Sequence, residues 1–174
     1  MFIWQHIGWF MFPMHVCWVL YTYWLMVLSL GDMSSLEDLY QSKILEFARM
    51  ARDINLLSDP NVSFTSKNPV CGDEVTIDLI INKDNIISHY GHKVRGCALC
   101  EASSGLLSKN IIGLNFKNSF ILKENLSFWL NEKLDKFTFS EIENFSPVKK
   151  FKNRYKCVLL SFDALQGACE KHMN

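Results

Sequence analysis

The sequence predicts an α+β domain, a small antiparallel sheet covered by helices, behind an apolar amino-terminal segment. Apolar residues alternate over 75–81 and return over 86–94, as in a β-hairpin. Apolar residues at helical spacing flank that hairpin on both sides. Helix, then strands, then helices, without internal repeats, is the order of an antiparallel sheet with helices packed on it. The 174 residues are 49% hydrophobic and 21% charged, which supplies a core and excludes global disorder. Lys+Arg and Asp+Glu number 18 each, a zero formal charge that argues against a nucleic-acid partner.

Residues 1–31 contain no Lys, Arg, Asp or Glu and hold four of the five tryptophans. The run 16–30 is apolar for 15 positions, and extending it to Ile7 gives 24, interrupted by Pro13 and His15. A membrane-spanning helix needs about 20 apolar residues. No basic residue precedes the run, so the positive region of a secretory signal is missing. Residues 1–32 are therefore an apolar leader with two readings, a membrane anchor or translation begun upstream of Met33. The body is 33–174, and a membrane partner is implied only if the leader is genuine.

In the body, Ser34 and Glu37 form a capping box, and Leu36 to Ala51 recur at helical spacing, which predicts a helix over about 36–52. Residues 56–69 are polar and contain Pro60 and Pro69; they read as loop with a short strand near Phe64. Val75, Ile77, Leu79 and Ile81 predict a strand, 82–85 a turn, and 86–94 its partner. Ala98 to Ile112 predicts a helix stopped by Gly113, with Cys97 at its amino end. Residues 120–134 and 139–145 also read as helical. A last helix is expected over 151–170, with Tyr155, Val158, Leu159, Phe162 and Leu165 as its apolar stripe.

Six cysteines are too few for a disulfide scaffold of this length and fit a reducing cytoplasm. Gly72 permits a tight turn after Cys71, and Asp73 can face the same centre. Cys97 lies across the hairpin, where helix N–H groups and the dipole favour a thiolate. Cys157 lies in the last helix. Three thiolates and a carboxylate make a tetrahedral set for Zn²⁺ or iron; the other reading of such spacing is buried, inert thiols.

The residues are more specific than the spacing. Asn68-Pro-Val-Cys-Gly-Asp-Glu-Val-Thr76, Val94-Arg-Gly-Cys-Ala-Leu-Cys-Glu-Ala-Ser-Ser-Gly-Leu-Leu107 and Arg154-Tyr-Lys-Cys-Val-Leu-Leu-Ser-Phe-Asp-Ala-Leu165 resemble the iron–sulfur cluster assembly family of NifU amino-terminal domains, IscU and SufU. Leu39 to Arg49 fits that family's first helix. The resemblance runs over about 36–168 and leans to the SufU branch. That branch carries an insertion between its second and third cysteines, as 119–145 does here. Lys156 stands before Cys157, where the IscU branch has His. The Leu-Pro-Pro-Val-Lys of IscU is not reproduced; Pro147-Val-Lys149 lies too far upstream of Cys157. Cys100 is a departure, in a position usually held by a small or polar residue. It creates Cys97-x-x-Cys100, read as a spare ligand, a sulfur relay or a bystander.

The resemblance implies that Cys71, Asp73, Cys97 and Cys157 hold Zn²⁺, iron or a transient [2Fe–2S] cluster. It implies that Cys71 accepts persulfide sulfur from a pyridoxal-phosphate cysteine desulfurase, whose His fills the vacated ligand position. Asp73 would tune lability, and Arg154 would orient the acceptor loop. Cluster carriers or further scaffolds would be the downstream partners. A SufU-like protein is a zinc-dependent sulfurtransferase; an IscU-like one is a non-enzymatic [2Fe–2S] scaffold that hands clusters to apo-proteins. A structural zinc module is the third reading. His89, His92 and His172 read as surface or packing residues, and Cys169 as a free thiol at the frayed end of the last helix. Lys149, Lys150, Lys152, Arg154 and Lys156 form a solvated face or a dock for an acidic patch on the desulfurase.

Overall fold

The computed structural model describes residues 42–173. The leader 1–32, the Ser34 capping box and the start of the first helix lie outside the described residues. That helix, α1, is helical over 42–52 and buries Phe47, Ala48 and Ala51.

Three antiparallel strands follow, in the order β1 (Val62–Asn68), β2 (Asp73–Ile81), β3 (Ile87–Arg95). β1 is a full strand where mostly loop was expected. One face of it is solvated and needs no apolar residues: Thr65 and Lys67 are exposed. Its other face carries Val62 and Phe64, opposite Leu79 and Ile77. Pro60 and Pro69 bracket the ladder rather than interrupt it, which costs no strand hydrogen bond. Val75, Ile77 and Leu79 of β2 are fully buried. The β2–β3 turn is held by the Asn82 carboxamide oxygen, which accepts from the N–H groups of Asp84 (3.0 Å) and Ile86 (2.9 Å). Asn85 there adopts φ 59°, a left-handed conformation that Asn tolerates.

The helices are α2 (Ala98–Ile111), α3 (Phe116–Phe120), α4 (Leu122–Leu130) and α5 (Tyr155–Met173). Gly113, at φ +87°, follows α2 as expected. The helix expected over 120–134 is the shorter α4, with α3 just before it, and the chain leaves α4 at Asn131, with Glu132 left-handed at φ 58°. The segment Ser140–Lys150 is a 3-10 helix; Pro147 within it has no N–H to give to an α-helical ladder. Another 3-10 turn, Lys152–Arg154, leads into α5, which therefore starts later than expected and runs on to Met173. α5 packs across β1 and β2, with α2 and α4 against its sides. Val158, Phe162 and Leu165 are fully buried, each contributing roughly 1.5–3 kcal/mol of apolar burial. Leu159 is only partly buried. Cys169 is fully buried inside α5, not at a frayed end; it is a free thiol, pushed up to about 11 by burial. No helix among the described residues is long and apolar enough to cross a membrane.

Candidate metal centre

Each chemistry-bearing residue is placed by its own element. Cys71 sits in the turn joining β1 to β2. The Gly72 N–H donates to the Asn68 carbonyl (2.8 Å) and the Val70 N–H to the Asn68 side-chain oxygen (3.1 Å). Gly72 closes the turn at φ +76°, where a side chain would be strained. Cys71 is left exposed. Asp73 opens β2, paired with Asn68, and is 6% exposed. Residue 97 is the N-cap of α2, and pairing of Glu74 with Arg95 brings that helix start beside the start of β2. Cys157 lies in the first turn of α5 and is buried.

The result is a convergence. Ligand atoms of Cys71, Asp73 and Cys157 all lie within 4.8 Å of one another. Cys97, half-buried, stands outside that mutual triangle but near enough to Cys157 to act on its thiol. Burial first, and then the neighbouring Cys97, Cys71 and Asp73, push the Cys157 thiol up to about 12. The Asp73 Oδ2 atom is buried with no hydrogen-bond partner. A buried, unpaired carboxylate oxygen is costly, and crowding it with ionisable thiols adds repulsion. A thiophilic cation removes both costs, and soft sulfur with one hard oxygen suits zinc or iron. The donor set therefore fits a metal.

Gly96, which in the sequence only ends the second strand, shapes this centre. A Cβ there would stand 2.9 Å from Asp73 Cγ, so the carboxylate lies directly against the backbone that starts α2. A glycine immediately before the second cysteine was the available signal. Cys100 is fully buried one turn into α2. Arg154 is exposed in the 3-10 turn, three residues before Cys157. The histidines stand elsewhere. His89 is exposed; His172 is exposed and meets the Phe116 ring edge-on at 5.5 Å. His92 is buried: its Nε2 donates to the Ala51 carbonyl (2.9 Å), and its Nδ1 then accepts from the Tyr90 hydroxyl (3.1 Å). Of the basic run, Lys149 is engaged, its Nζ 3.8 Å from the centre of the Trp129 ring. Lys150, Lys152, Arg154 and Lys156 are exposed.

Comparison with known proteins gives a consistent result. The model of the NifU-like N terminal domain matches residues 39–171. The chain is 28% identical to the iron–sulfur cluster assembly scaffold protein IscU of Thermotoga maritima, covering 76% of this chain and 94% of that one. It is 26% identical to the zinc-dependent sulfurtransferase SufU of Bacillus subtilis, covering 79% and 94%. A NifU-like amino-terminal structure from Brucella abortus superposes with a TM-score of 0.71 at 29% identity, covering 79% of this chain and 96% of that one. A SUF-system cluster-assembly scaffold structure from Fervidobacterium islandicum gives 0.65 at 25% identity, covering 73% and 93%. With more than half its length matched, and with the cysteine centre at the end of the sheet, the chain belongs to the NifU-like N-terminal domain family, the family of iron–sulfur cluster assembly scaffolds.

Proposed function

We propose that this protein takes sulfur from a pyridoxal-phosphate cysteine desulfurase and supports [2Fe–2S] and [4Fe–4S] cluster formation, with Cys71, Asp73, Cys97 and Cys157 as its metal ligands. The observation that carries this reading is an asymmetry of access. Cys71 is exposed on a tight turn, whereas Asp73 and Cys157 are buried. A structural zinc site would enclose all its ligands. Here one thiol is offered outward and the rest hold the centre.

When bound, zinc or iron would keep the thiolates deprotonated and order the turn. The Cys71 thiolate attacks the outer sulfur of the donor's persulfide, the donor's S–S bond breaks, its thiolate leaves, and Cys71 carries the transferred sulfur. Arg154, exposed beside the start of α5, is the side chain we assign to steadying the acceptor turn. A reducing cytoplasm would keep the five cysteines of the described residues as thiols. Cluster carriers would receive the product.

The zinc reading is supported by similarity to SufU; the scaffold reading, in which the same residues hold a nascent [2Fe–2S] cluster, by similarity to IscU. Elemental analysis of protein purified without added metal, combined with Asp73→Ala, separates them. The substitution should trap a cluster on a scaffold and abolish zinc-dependent turnover in a sulfurtransferase. If Cys71 stays closed to alkylation with the desulfurase bound, the centre is a structural zinc module and the proposal fails.

A further inference from the structure

Cys100 does not belong to the proposed ligand set, yet it is buried beside the centre. Cys97, the N-cap of α2, has extended backbone (φ −73°, ψ 165°) and its side chain makes no capping bond. Cys100 is the third residue of the helix and is fully buried. Residues three apart share a helix face, and two cysteines so spaced at a helix start make a dithiol able to close into a disulfide. This pair is not isolated. Cys97 follows Gly96, which lies against Asp73, and neighbours Cys157, whose sulfur lies within 4.8 Å of Cys71 and Asp73. Asp73 Oδ2, buried and unpartnered, belongs to the same cluster. Cys71, Cys157, Cys97 and Cys100 thus stand as neighbouring thiols, exposed at Cys71 and fully buried at Cys100.

We propose that Cys97 and Cys100 act as a dithiol that reduces persulfide sulfur to hydrogen sulfide inside the centre. The inference rests on Cys71 being the sulfur acceptor. The Cys97 thiolate attacks the outer sulfur of the Cys71 persulfide; the Cys71 thiolate leaves, and Cys97 carries the extra sulfur. Cys100 gives its proton to the outer sulfur and, as a thiolate, attacks the Cys97 sulfur. The Cys97–Cys100 disulfide forms and the bond to the outer sulfur breaks. That sulfur departs as hydrogen sulfide, with the bonding pair and the Cys100 proton. The dithiol loses two electrons and the transferred sulfur gains two. A second turnover needs a small dithiol reductant to reopen the disulfide.

The full chain, reduced and freed of excess thiol, would be mixed with glutathione persulfide. Hydrogen sulfide would be assayed as methylene blue. The tryptic peptide from Gly96 to Lys109, which holds both cysteines, would be weighed after alkylation. About one equivalent of sulfide is expected, with that peptide two hydrogens lighter and unalkylated. Cys100→Ala and Cys100→Ser should each cut sulfide release at least about tenfold and leave the extra sulfur on the protein. Wild-type release from either folded variant, or a disulfide joining any other pair, would overturn the inference; the wild-type peptide mass decides if neither variant folds. Sulfur on Cys71 without sulfide release sinks this inference alone. No sulfur on Cys71 in any protein sinks the acceptor reading and the inference together.

Discussion

At the scale of single residues, the centre depends on side chains that are absent as much as on those present. Gly96 is the clearest case. A methyl group there would press on Asp73 Cγ at 2.9 Å and Oδ1 at 3.1 Å, and Asp73 is hemmed in by burial. Gly96→Ala should displace the carboxylate and weaken zinc binding by about 10–100-fold, the usual cost of disturbing a ligand's support, while the fold survives. Competition with a chromophoric chelator measures this; unchanged affinity would show that Asp73 is not a ligand. His92 makes a second case. Its imidazole is neutral, with Nε2–H given to Ala51 and Nδ1 accepting from Tyr90. Burial lowers its pKa, against a smaller raising effect from the Ala51 carbonyl. The unfolded state therefore binds the proton more readily than the folded one. Stability is complete above the unfolded value of about 6.5 and is lost as pH falls from there towards the depressed folded value. Thermal midpoints read from about pH 8 to 5 should decline below about 6.5, and His92→Gln should flatten that decline. An equal slope in the variant would place the acid sensitivity elsewhere.

At the scale of elements, close approach of α5 to the sheet is set by Gly167, whose added Cβ would run into the Phe64 ring. Gly167→Ala should destabilise the protein by about 1–3 kcal/mol, and Phe64→Leu should recover part of the loss by freeing that space. Chemical denaturation of the two single variants and the double variant measures the coupling; strict additivity would mean that the contact carries no energy. This contact also explains what the sequence left hidden. The hairpin of β2 and β3 was legible because Val75, Ile77 and Leu79 alternate under a buried face. β1 was not, since Val62 and Phe64 are too few apolar residues to display an alternation, and its order comes from pairing with β2 and from Phe64 under α5. The short α3 before α4 and the 3-10 form of Ser140–Lys150 were equally hidden, because apolar spacing over so few residues does not distinguish helix types. The centre was read from motif residues. Spacing along the chain could not reveal that Cys97 stands outside the mutual triangle of Cys71, Asp73 and Cys157, nor that Gly96 backs the carboxylate.

At the scale of the whole molecule, three elements distant in sequence start or turn at one end of the sheet, and the basic segment enters there through the first turn of α5. Eighteen basic and eighteen acidic residues cancel, so the molecule as a whole exerts no long-range pull on an acidic partner. Attraction must be local. Lys150, Lys152, Arg154 and Lys156 are exposed, while Lys149 is held over Trp129 and the Tyr155 hydroxyl anchors the segment to the Leu130 (2.7 Å) and Lys149 (2.8 Å) carbonyls. A fixed backbone thus presents four exposed cations on the stretch that leads into Cys157. Such a patch acts within a Debye length, about 10 Å at 0.1 M salt. If it docks the desulfurase, raising salt from about 50 to 300 mM should weaken the complex roughly tenfold or more, chiefly by slowing association. Lys150→Glu with Lys152→Glu should reproduce that weakening at low salt, whereas Lys83→Glu in the β2–β3 turn should not. Calorimetric titration across salt reads both arms. A complex indifferent to salt and to the double reversal would assign the basic segment to solvent and leave recognition to the turn that carries Cys71.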